Sequence, residues 1–154
     1  MQTVTSETDI RLSPQQAWEK LSDLSLAHNY VPGIIRTEIT TDAVQGEGAS
    51  RRVYQSKSRY INETVTEWRQ GQGFTIRLHK DNGNAPAPFA AAEFSYDLAE
   101  IDARNTRLHM ELRFRMAGGY LGEWAARTLM AGAFQSRLDA VSAGLKRFYE
   151  RGAD

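Results

Sequence analysis

A two-residue hydrophobic period runs through the middle of the chain, from Ile34 to Met116, and restricts the possible fold more than any other feature. It is clearest in the segment LHMELRFRM at 108–116, where apolar and polar residues alternate without a break. Successive side chains of a strand point to opposite faces of a sheet, so each such segment predicts a strand with one apolar face. Turn signals between the segments are typical of an antiparallel meander. We therefore predict strands at 34–44, 49–56, 59–69, 73–81, 89–100 and 106–117.

The segments on either side of this meander carry helix signals. Residues 1–12 are typical of one more strand, and SPQQAWEKL at 13–21 follows with Ser13 as N-cap, a proline in the first turn and Gln16 closing a capping box. A second short helix is predicted in the next twelve residues, before the Pro-Gly pair at 32–33. Apolar residues spaced by threes and fours then predict one long helix over 120–151.

A sheet with one apolar face has to be covered, and the C-terminal helix is the only predicted element long enough to cover it. We predict an α+β fold in which a curved antiparallel sheet of about seven strands (order β-α-α-β6-α) wraps around that helix, in a single domain over 1–154. A curved sheet around one helix seldom fills completely, and the small residues Ala131, Gly132 and Ala133 leave further room. We therefore predict a ligand cavity between helix and sheet.

Composition narrows the partners that the chain is expected to have. Lys plus Arg equals Asp plus Glu at 19 each, so the overall charge gives no reason to expect nucleic acid or an anionic membrane surface. There is no cysteine, which excludes disulfides and thiolate chemistry and is compatible with a reducing cytoplasm. Since neither a signal peptide nor a long apolar run is seen, we expect a cytoplasmic protein without stable membrane insertion, as a monomer or homodimer.

The order of elements resembles that of the SRPBCC or START-like superfamily, in particular its polyketide cyclase/dehydrase and lipid-transport branch. The segments that carry the resemblance are SPQQAWEKLSDLSLAHNYVPGIIRTEI at 13–39, INETVTEW at 61–68 and AFQSRLDAVSAGLKRFYE at 133–150. The resemblance covers nearly the whole chain and implies the helix-grip fold. It says little about activity, because the superfamily includes hydrophobic-ligand carriers, hormone receptors and aromatic cyclases. In relatives of the hormone-receptor type a strand glutamate faces the cavity, and Glu63 matches it here.

Turn parity predicts which side chains face the cavity. If Gly71 and Gln72 form a two-residue turn, residues whose numbers sum to 143 lie opposite each other, which pairs Val65 with Leu78. If residues 57 and 58 form the preceding turn, Arg52 lies opposite Glu63 inside the bowl of the sheet, whereas a three-residue turn would point Arg52 outward. A carboxylate in an apolar cavity requires a cation or a raised pKa, so the Glu63–Arg52 pair is a site hypothesis. The alternative is that both lie on the solvated outer face.

The other candidate ligand-binding residues lie on the apolar faces of the predicted strands and in the first half of the long helix. They are Tyr54, Ile61, Phe74, Ile76, Phe94, Tyr96, Met110, Leu112, Phe114, Trp124 and Thr128. At the mouth of the cavity His28 and Tyr30 are candidate rim residues, although Tyr30 packing under Pro32 is an alternative. We expect Trp18 in the core and the other two histidines, His79 and His109, on the solvent side of their strands.

The motifs that the chain lacks limit the chemistry that we predict. HExxH, GxSxG, a phosphate-binding glycine loop and carboxylates at metal spacing are all missing, so we predict neither a metal nor another cofactor. The first function hypothesis is binding of a small hydrophobic or amphipathic ligand, such as a lipid, a polyketide or an isoprenoid-like molecule. The second is a cyclase or dehydratase acting on a polyketide-like or aromatic substrate, with Glu63 and Tyr96 as acid and base. The third is a partner-binding protein whose segments 28–33 and 80–89 form a gate.

Overall fold

Seven antiparallel strands form one curved sheet in the computed structural model, which describes residues 1–151 except for the side chain of Leu129. The spatial order is β1-β7-β6-β5-β4-β3-β2, so the first strand lies at the edge beside the last one. The last three residues of the predicted domain, 152–154, lie outside the described residues. The strands are β1 (Gln2–Ile10), β2 (Arg36–Ile39), β3 (Ser50–Tyr54), β4 (Tyr60–Arg69), β5 (Gly73–His79), β6 (Phe89–Asp102) and β7 (Asn105–Met116).

The helical segments occupy the two places that the sequence predicts. The first pair consists of α1 (Pro14–Leu21) and a short 3₁₀ helix (Leu24–Asn29). The C-terminal segment consists of α2 (Gly119–Ala125), a π-helical turn (Ala126–Met130) and α3 (Ala131–Glu150). Together with the curved sheet, this arrangement confirms the predicted helix-grip fold. None of the helices within residues 1–151 combines the length and the apolar composition that crossing a membrane requires.

The start of α1 confirms the predicted capping box. The backbone N–H of Gln16 donates to Oγ of Ser13 at 3.2 Å, and the backbone N–H of Ser13 donates to Oε1 of Gln16 at 3.1 Å. These two bonds satisfy amide groups that have no partner inside the helix. The helix buries Ala17, Trp18 and Leu21, and Trp18 packs edge-on against Trp68 of β4, which confirms its predicted place in the core.

Two apolar clusters occupy the space between sheet and helices. The larger one joins α1 and α3 to the middle of the sheet and includes Leu138, Val141 and Leu145 from α3. The smaller one lies under the π-helical turn, where Ala126 packs among Ala92, Phe114 and Met116. Several partly buried side chains pack against these clusters, and Leu78 packs against both: Val31, Ile61, Leu78, Phe89, Phe94, Leu112 and Phe134. The interior therefore contains apolar side chains that are not fully enclosed.

The predicted long helix over 120–151 is confirmed as a continuous helical segment over 119–150, but a π-helical turn within it divides α2 from α3. A π-turn contains one more residue per turn, which rotates the helix face that follows by roughly 100°. Ala126 therefore packs onto the sheet in register with the apolar stripe of α3, while the apolar residues of α2 point outward: Tyr120, Leu121 and Trp124 are 79%, 75% and 52% exposed. The periodicity within each half is clear in the sequence, but the shift between the halves is not.

Strand pairing also differs from the predicted register. Arg69 lies opposite Gly73, so the turn between β4 and β5 has three residues, and a bulge lies between Val65 and Glu67. Val65 consequently pairs with Ile76 and not with Leu78. Strand β2 is shorter than predicted, because residues 40–49 form a loop with positive φ angles at Gly46 and Gly48.

Candidate ligand-binding cavity

A cavity of about 420 Å³ lies between the concave face of the sheet and α3. Its volume falls within the range of roughly 300 to 1,000 Å³ that is usual for small-molecule sites. Its walls are formed by Val31, Ile34, Val53, Gln55, Ile61, Glu63, Leu78, Pro88, Phe89, Phe94, Tyr96, Leu112, Ala133, Phe134, Arg137, Leu138 and Val141. Most of these side chains are apolar, so a ligand held here would be surrounded mainly by hydrocarbon.

Each wall follows from the period of the element that forms it. Strand residues two apart face the same side, which brings Ile61 and Glu63 of β4 and Phe94 and Tyr96 of β6 to the concave face. Helix residues three and four apart share a face, and Phe134, Leu138 and Val141 are spaced in this way along α3. The small side chain of Ala133 also lies on the wall, as the sequence predicts for the small-residue stretch.

Both segments that the sequence singles out as a gate reach the cavity. The segment 28–33 contributes Val31, and the segment 80–89 contributes Pro88 and Phe89. The second segment is bonded to the connection between β7 and α2, because the N–H of Ala117 donates to the carbonyl oxygen of Pro88 at 2.9 Å. Phe89 also packs against Phe134 of α3, with ring centroids 5.6 Å apart. Both segments therefore contribute to the cavity wall.

A buried ion pair supplies the strongest polar feature of the cavity. Nε of Arg51 donates to Oε2 of Glu63 at 2.6 Å, and Nη1 of Arg51 donates to the carbonyl oxygen of Leu24 at 2.8 Å. The Arg51 side chain is 2% exposed and that of Glu63 is 13% exposed, with Glu63 on the cavity wall. Burial alone would lower the pKa of Arg51, but the charge of Glu63 and the neighbouring oxygens of Tyr30 and Tyr96 raise that pKa above its ordinary value. The guanidinium is thus held in its charged form.

The partner of Glu63 is therefore Arg51, and the prediction that Arg52 occupies this place is wrong. Tyr54 lies opposite Tyr60, and the N–H of Gln55 donates to the carbonyl oxygen of Arg59 at 2.8 Å, which leaves residues 56–58 as a three-residue turn. A three-residue turn exchanges the inward-facing and outward-facing residues of β3. This is the alternative predicted from the sequence for a turn of that length. Arg52 points to the outer face, where it lies 3.9 Å from a carboxylate oxygen of Asp81.

Three tyrosines gather around the ion pair. Tyr96 lies on the cavity wall, and its pKa is raised well above the usual value because burial disfavours the phenolate and because Tyr30 is close by, although Arg51 acts in the opposite direction. Burial, followed by the proximity of Tyr30 and Tyr96, likewise raises the pKa of Tyr149 well above its usual value. The Tyr149 hydroxyl is buried without a hydrogen-bond partner among the described residues. The hydroxyls of Tyr96 and Tyr149 are therefore neutral and able to donate a hydrogen bond.

The structure brings some of the predicted ligand-binding residues to the cavity and places others in the packed core. On the wall lie Ile61, Glu63, Phe94, Tyr96 and Leu112. Phe74, Ile76 and Met110 also face inward but are fully enclosed in the larger apolar cluster, and Phe114 is enclosed in the smaller one. Facing the concave side therefore does not suffice for lining the cavity, because most of that side is covered by other side chains.

Three further predicted residues lie away from the cavity. Tyr54 shares the outward parity of Arg52, and its hydroxyl donates to Oε2 of Glu38 at 3.1 Å. Trp124 and Thr128 lie on the exposed side of α2 and the π-helical turn, where the Thr128 hydroxyl donates to the carbonyl oxygen of Trp124 at 2.8 Å. The prediction that these three face the cavity is wrong, for the reasons of turn length and helix rotation given above.

The two predicted rim residues are also displaced from the cavity. His28 is exposed, and both its backbone nitrogen and Nδ1 lie 3.0 Å from Oγ1 of Thr37. Tyr30 is 4% exposed and packs against Phe148 and Tyr149. They border a separate shallow depression beside α3 and are not part of the cavity wall. Tyr30 therefore acts as a packed core residue with a polar tip near the ion pair.

The remaining two histidines are engaged on the outside of the sheet. Nε2 of His79 lies 2.8 Å from Oγ1 of Thr64, and Nδ1 of His109 lies 3.1 Å from Oε1 of Glu7. Neither side chain lines the cavity. Their predicted orientation is confirmed.

Sequence reasoning missed the arginine that pairs with Glu63 and several residues of the cavity wall. Nothing in the sequence distinguishes Arg51 from Arg52 except which face of the strand each one occupies, and that depends on the length of the turn. Arg137 lies three residues after Phe134 and one before Leu138, so helix periodicity does place it beside the apolar stripe. Nη2 of Arg137 donates to the carbonyl oxygen of Pro32 at 2.7 Å, which joins α3 to the segment 28–33. Pro88 and Phe89 could have been found from the predicted gate segment that contains them.

A seven-stranded sheet that wraps around a C-terminal helix and leaves an apolar cavity between them defines the helix-grip class of proteins. The chain belongs to the family described as polyketide cyclase / dehydrase and lipid transport, whose family model matches residues 1–150. No curated protein sequence matches the chain. The assignment therefore depends on the family model and is consistent with solved structures of the same fold.

Several solved structures are similar to this chain in fold. The Zhui aromatase/cyclase from Streptomyces sp. R1128 is 17% identical with a TM-score of 0.73, and the match covers 99% of this chain and 96% of that one. A START superfamily protein from Mycobacterium smegmatis is 15% identical with a TM-score of 0.66, covering 94% and 97%. The di-domain ARO/CYC BexL from the BE-7585A biosynthetic pathway is 9% identical with a TM-score of 0.70, covering 95% of this chain and 47% of that one. At these identities the similarity establishes the fold alone.

Proposed function

We propose that this protein binds a small hydrophobic or amphipathic molecule in the cavity between the sheet and α3. The observation that carries the proposal is the cavity itself: about 420 Å³ of space lined mainly by aliphatic and aromatic side chains, with few polar groups. A site of this composition stabilises a ligand by removing apolar surface from water, while its polar groups set the ligand's orientation. The family description, which includes lipid transport, supports the same proposal.

Native mass spectrometry of freshly purified protein tests for a retained small molecule, and N-phenyl-1-naphthylamine serves as a neutral fluorescent probe of the cavity. The probe is expected to bind with one site per chain and to be displaced by apolar ligands. Phe94→Gln is expected to weaken probe binding by roughly tenfold or more, because it replaces an aromatic wall with an amide that must be desolvated.

Trp124→Gln is the matched control, since Trp124 is a large aromatic residue outside the cavity wall. It is expected to leave the affinity for the probe unchanged. Equal affinities of the wild type and the Phe94 variant would contradict the assignment of the cavity as the binding site. Loss of affinity in the Trp124 variant alone would place the probe on the surface of α2.

A second candidate function is acid/base catalysis of cyclisation or dehydration in the same cavity. The observation that favours it is that Glu63 and Tyr96, the two groups predicted for this chemistry, both lie on the cavity wall. Glu63 would accept a proton from a carbon between two carbonyl groups, and the Tyr96 hydroxyl would donate a hydrogen bond to the resulting enolate oxygen. We place it second because the carboxylate of Glu63 is already engaged by Arg51. With a poly-carbonyl substrate, Glu63→Gln is expected to abolish turnover while leaving substrate binding largely intact.

A further inference from the structure

We propose that the polar end of the cavity selects a ligand whose buried end is an uncharged hydroxyl group, attached to an apolar and preferably aromatic body. This inference rests on the proposed binding function and adds the chemical class of the ligand. It is carried by Glu63 and Tyr96 on the wall of a mostly apolar cavity, with the buried Arg51 bonded to Glu63.

The charge of this end is already balanced. Arg51 and Glu63 supply one cation and one anion in contact at 2.6 Å, and Arg51 is nearly inaccessible to solvent. A ligand carboxylate placed beside the pair would leave a net negative charge in a low-dielectric site, and a ligand ammonium would leave a net positive one. At this end the carboxylate of Glu63 would itself repel a ligand carboxylate, and the other charged wall residue, Arg137, is held at the segment 28–33 by its hydrogen bond to the carbonyl oxygen of Pro32. A neutral head group avoids both penalties.

The hydrogen-bonding pattern distinguishes among neutral head groups. Within residues 1–151 the carboxylate of Glu63 receives one side-chain hydrogen bond, from Arg51 to Oε2, so Oε1 remains as an acceptor beside the cavity. The Tyr96 hydroxyl on the same wall is neutral and close enough to Glu63 for that charge to act on it. The end of the cavity therefore offers a charged acceptor and a hydroxyl donor. A ligand hydroxyl matches both, since it donates one hydrogen bond and accepts another.

Other neutral head groups match this pattern less well. A carbonyl or ether oxygen accepts from Tyr96 but has no proton for Glu63, and a methyl group serves neither. In both cases a polar group of the protein loses its water without gaining a partner. Phe94 packs against Tyr96, and the wall also includes Leu112 and Phe134, which favours an aromatic or otherwise apolar body. Phenols and apolar alcohols combine these properties.

The test compares three probes that share one apolar body: 2-naphthol, 2-methylnaphthalene and 2-naphthoate, each titrated into the full chain at neutral pH by calorimetry or by displacement of N-phenyl-1-naphthylamine. We expect 2-naphthol to bind roughly tenfold or more tightly than 2-methylnaphthalene, because it forms a hydrogen bond to a charged acceptor. We expect 2-naphthoate to bind more weakly than either. Tightest binding by 2-naphthoate, or equal binding of 2-naphthol and 2-methylnaphthalene, would overturn the inference.

Two variants test whether the preference for 2-naphthol over 2-methylnaphthalene depends on Glu63 and Tyr96. Glu63→Gln presents an amide in place of the free carboxylate oxygen and is expected to reduce the preference for 2-naphthol over 2-methylnaphthalene to threefold or less. Since this change also leaves Arg51 without its counter-ion, Tyr96→Phe provides an independent variant that removes one hydroxyl and keeps the charge balance. It is expected to reduce the same preference. Tyr54→Phe removes a hydroxyl on the outer face and should leave the preference unchanged.

The outcomes for the two proposals are distinguishable. If N-phenyl-1-naphthylamine binds but none of the three naphthalene probes does, the inference is overturned and the proposed binding function stands. If no probe binds, the binding function itself is contradicted, and the inference falls with it. A preference for 2-naphthol that survives both cavity variants would overturn the inference as well, because the selectivity would then come from other residues.

Discussion

Arg51 and Arg52 are chemically identical neighbours that differ in surroundings by the parity of one strand. Arg51 is enclosed between Glu63 and the carbonyl oxygen of Leu24, while the side chain of Arg52 is 34% exposed and lies above the ring of Tyr60. Burying a guanidinium is costly unless its charge and its N–H groups are matched, so Arg51 depends on its partners far more than Arg52 does. Two adjacent positions of one strand therefore differ strongly in how much the free energy of unfolding depends on their partners.

The first prediction follows from this difference. Arg51→Met leaves Glu63 as an uncompensated, largely buried carboxylate and is expected to lower the free energy of unfolding by about 3 to 5 kcal/mol. Arg52→Met is the matched control, and it is expected to cost less than about 1 kcal/mol because its ion pair is solvent-exposed. Urea unfolding at neutral pH measures both. Similar losses in the two variants would contradict the buried ion pair.

At the scale of elements, α3 is held close to the 3₁₀ helix by a glycine contact near its C-terminal end. Near its C-terminal end Gly144 lies against the backbone of Tyr30, which follows the 3₁₀ helix, and a Cβ atom at Gly144 would overlap the carbonyl oxygen of Tyr30. Near its start Gly132 is exposed, and nothing lies within 4 Å of the position of its Cβ. One glycine therefore permits a close approach between two elements, whereas the other has no such role.

These two glycines allow a matched prediction. Gly144→Ala is expected to lower the free energy of unfolding by about 1 to 3 kcal/mol, because the overlap forces α3 away from the 3₁₀ helix and outweighs the gain in helix propensity. Gly132→Ala gains helix propensity without a clash, so it is expected to raise the free energy of unfolding by up to about 1 kcal/mol. Thermal unfolding followed by circular dichroism compares the two variants. Stabilisation by both would indicate that α3 is not held against Tyr30 as described.

At the scale of the whole molecule, the helix-grip arrangement encloses polar groups that a simple apolar core would not contain. Arg51, Glu63 and the hydroxyls of Tyr96 and Tyr149 all lie between the sheet and the helical layer. Folding therefore removes two phenol groups from water, and their pKa values rise well above the ordinary value of 10.0. This burial couples the stability of the molecule to alkaline pH.

The sign of this coupling is determined by which state loses protons first. Above about pH 10 the unfolded chain releases the protons of Tyr96 and Tyr149 while the folded state retains them, so the unfolded state binds fewer protons and stability falls as the pH rises. The contribution is fully present below pH 10 and is lost as the pH rises toward the folded-state values. We expect the free energy of unfolding, measured by urea unfolding, to fall as the pH is raised above about 10.

Tyr149→Phe tests this assignment. It removes one of the two titrating groups together with a buried hydroxyl that has no hydrogen-bond partner among the described residues. The alkaline loss of stability is expected to become shallower, and the stability at neutral pH is expected to stay equal or rise by roughly 1 kcal/mol. Tyr120→Phe, at a tyrosine that is 79% exposed, is the control and should leave the pH dependence unchanged. An unchanged alkaline slope in the Tyr149 variant would show that its hydroxyl is exposed to solvent.

Much of the architecture could be predicted because it depends on local properties of the chain. The capping box of α1, the two-residue period of the strands and the three-to-four-residue period of α3 are each encoded within a few neighbouring positions. They predict the order of elements, the apolar face of each, and hence a sheet that must cover a helix. The wall residues Ile61, Glu63, Phe94, Tyr96 and Leu112 follow from the same periodicity.

What the sequence by itself determined was therefore the set of elements and the apolar side of each. The tertiary structure alone decided that Arg51 and not Arg52 meets Glu63, that α2 turns Trp124 outward, and that Phe74 is packed while Phe94 borders a cavity. The physical reason is that one residue more in a turn or a helix reverses or rotates every side chain that follows. Whether a turn or a helix contains the additional residue depends on contacts across the whole sheet and the helix. These contacts join residues that are distant in the chain, so no local sequence pattern reveals them.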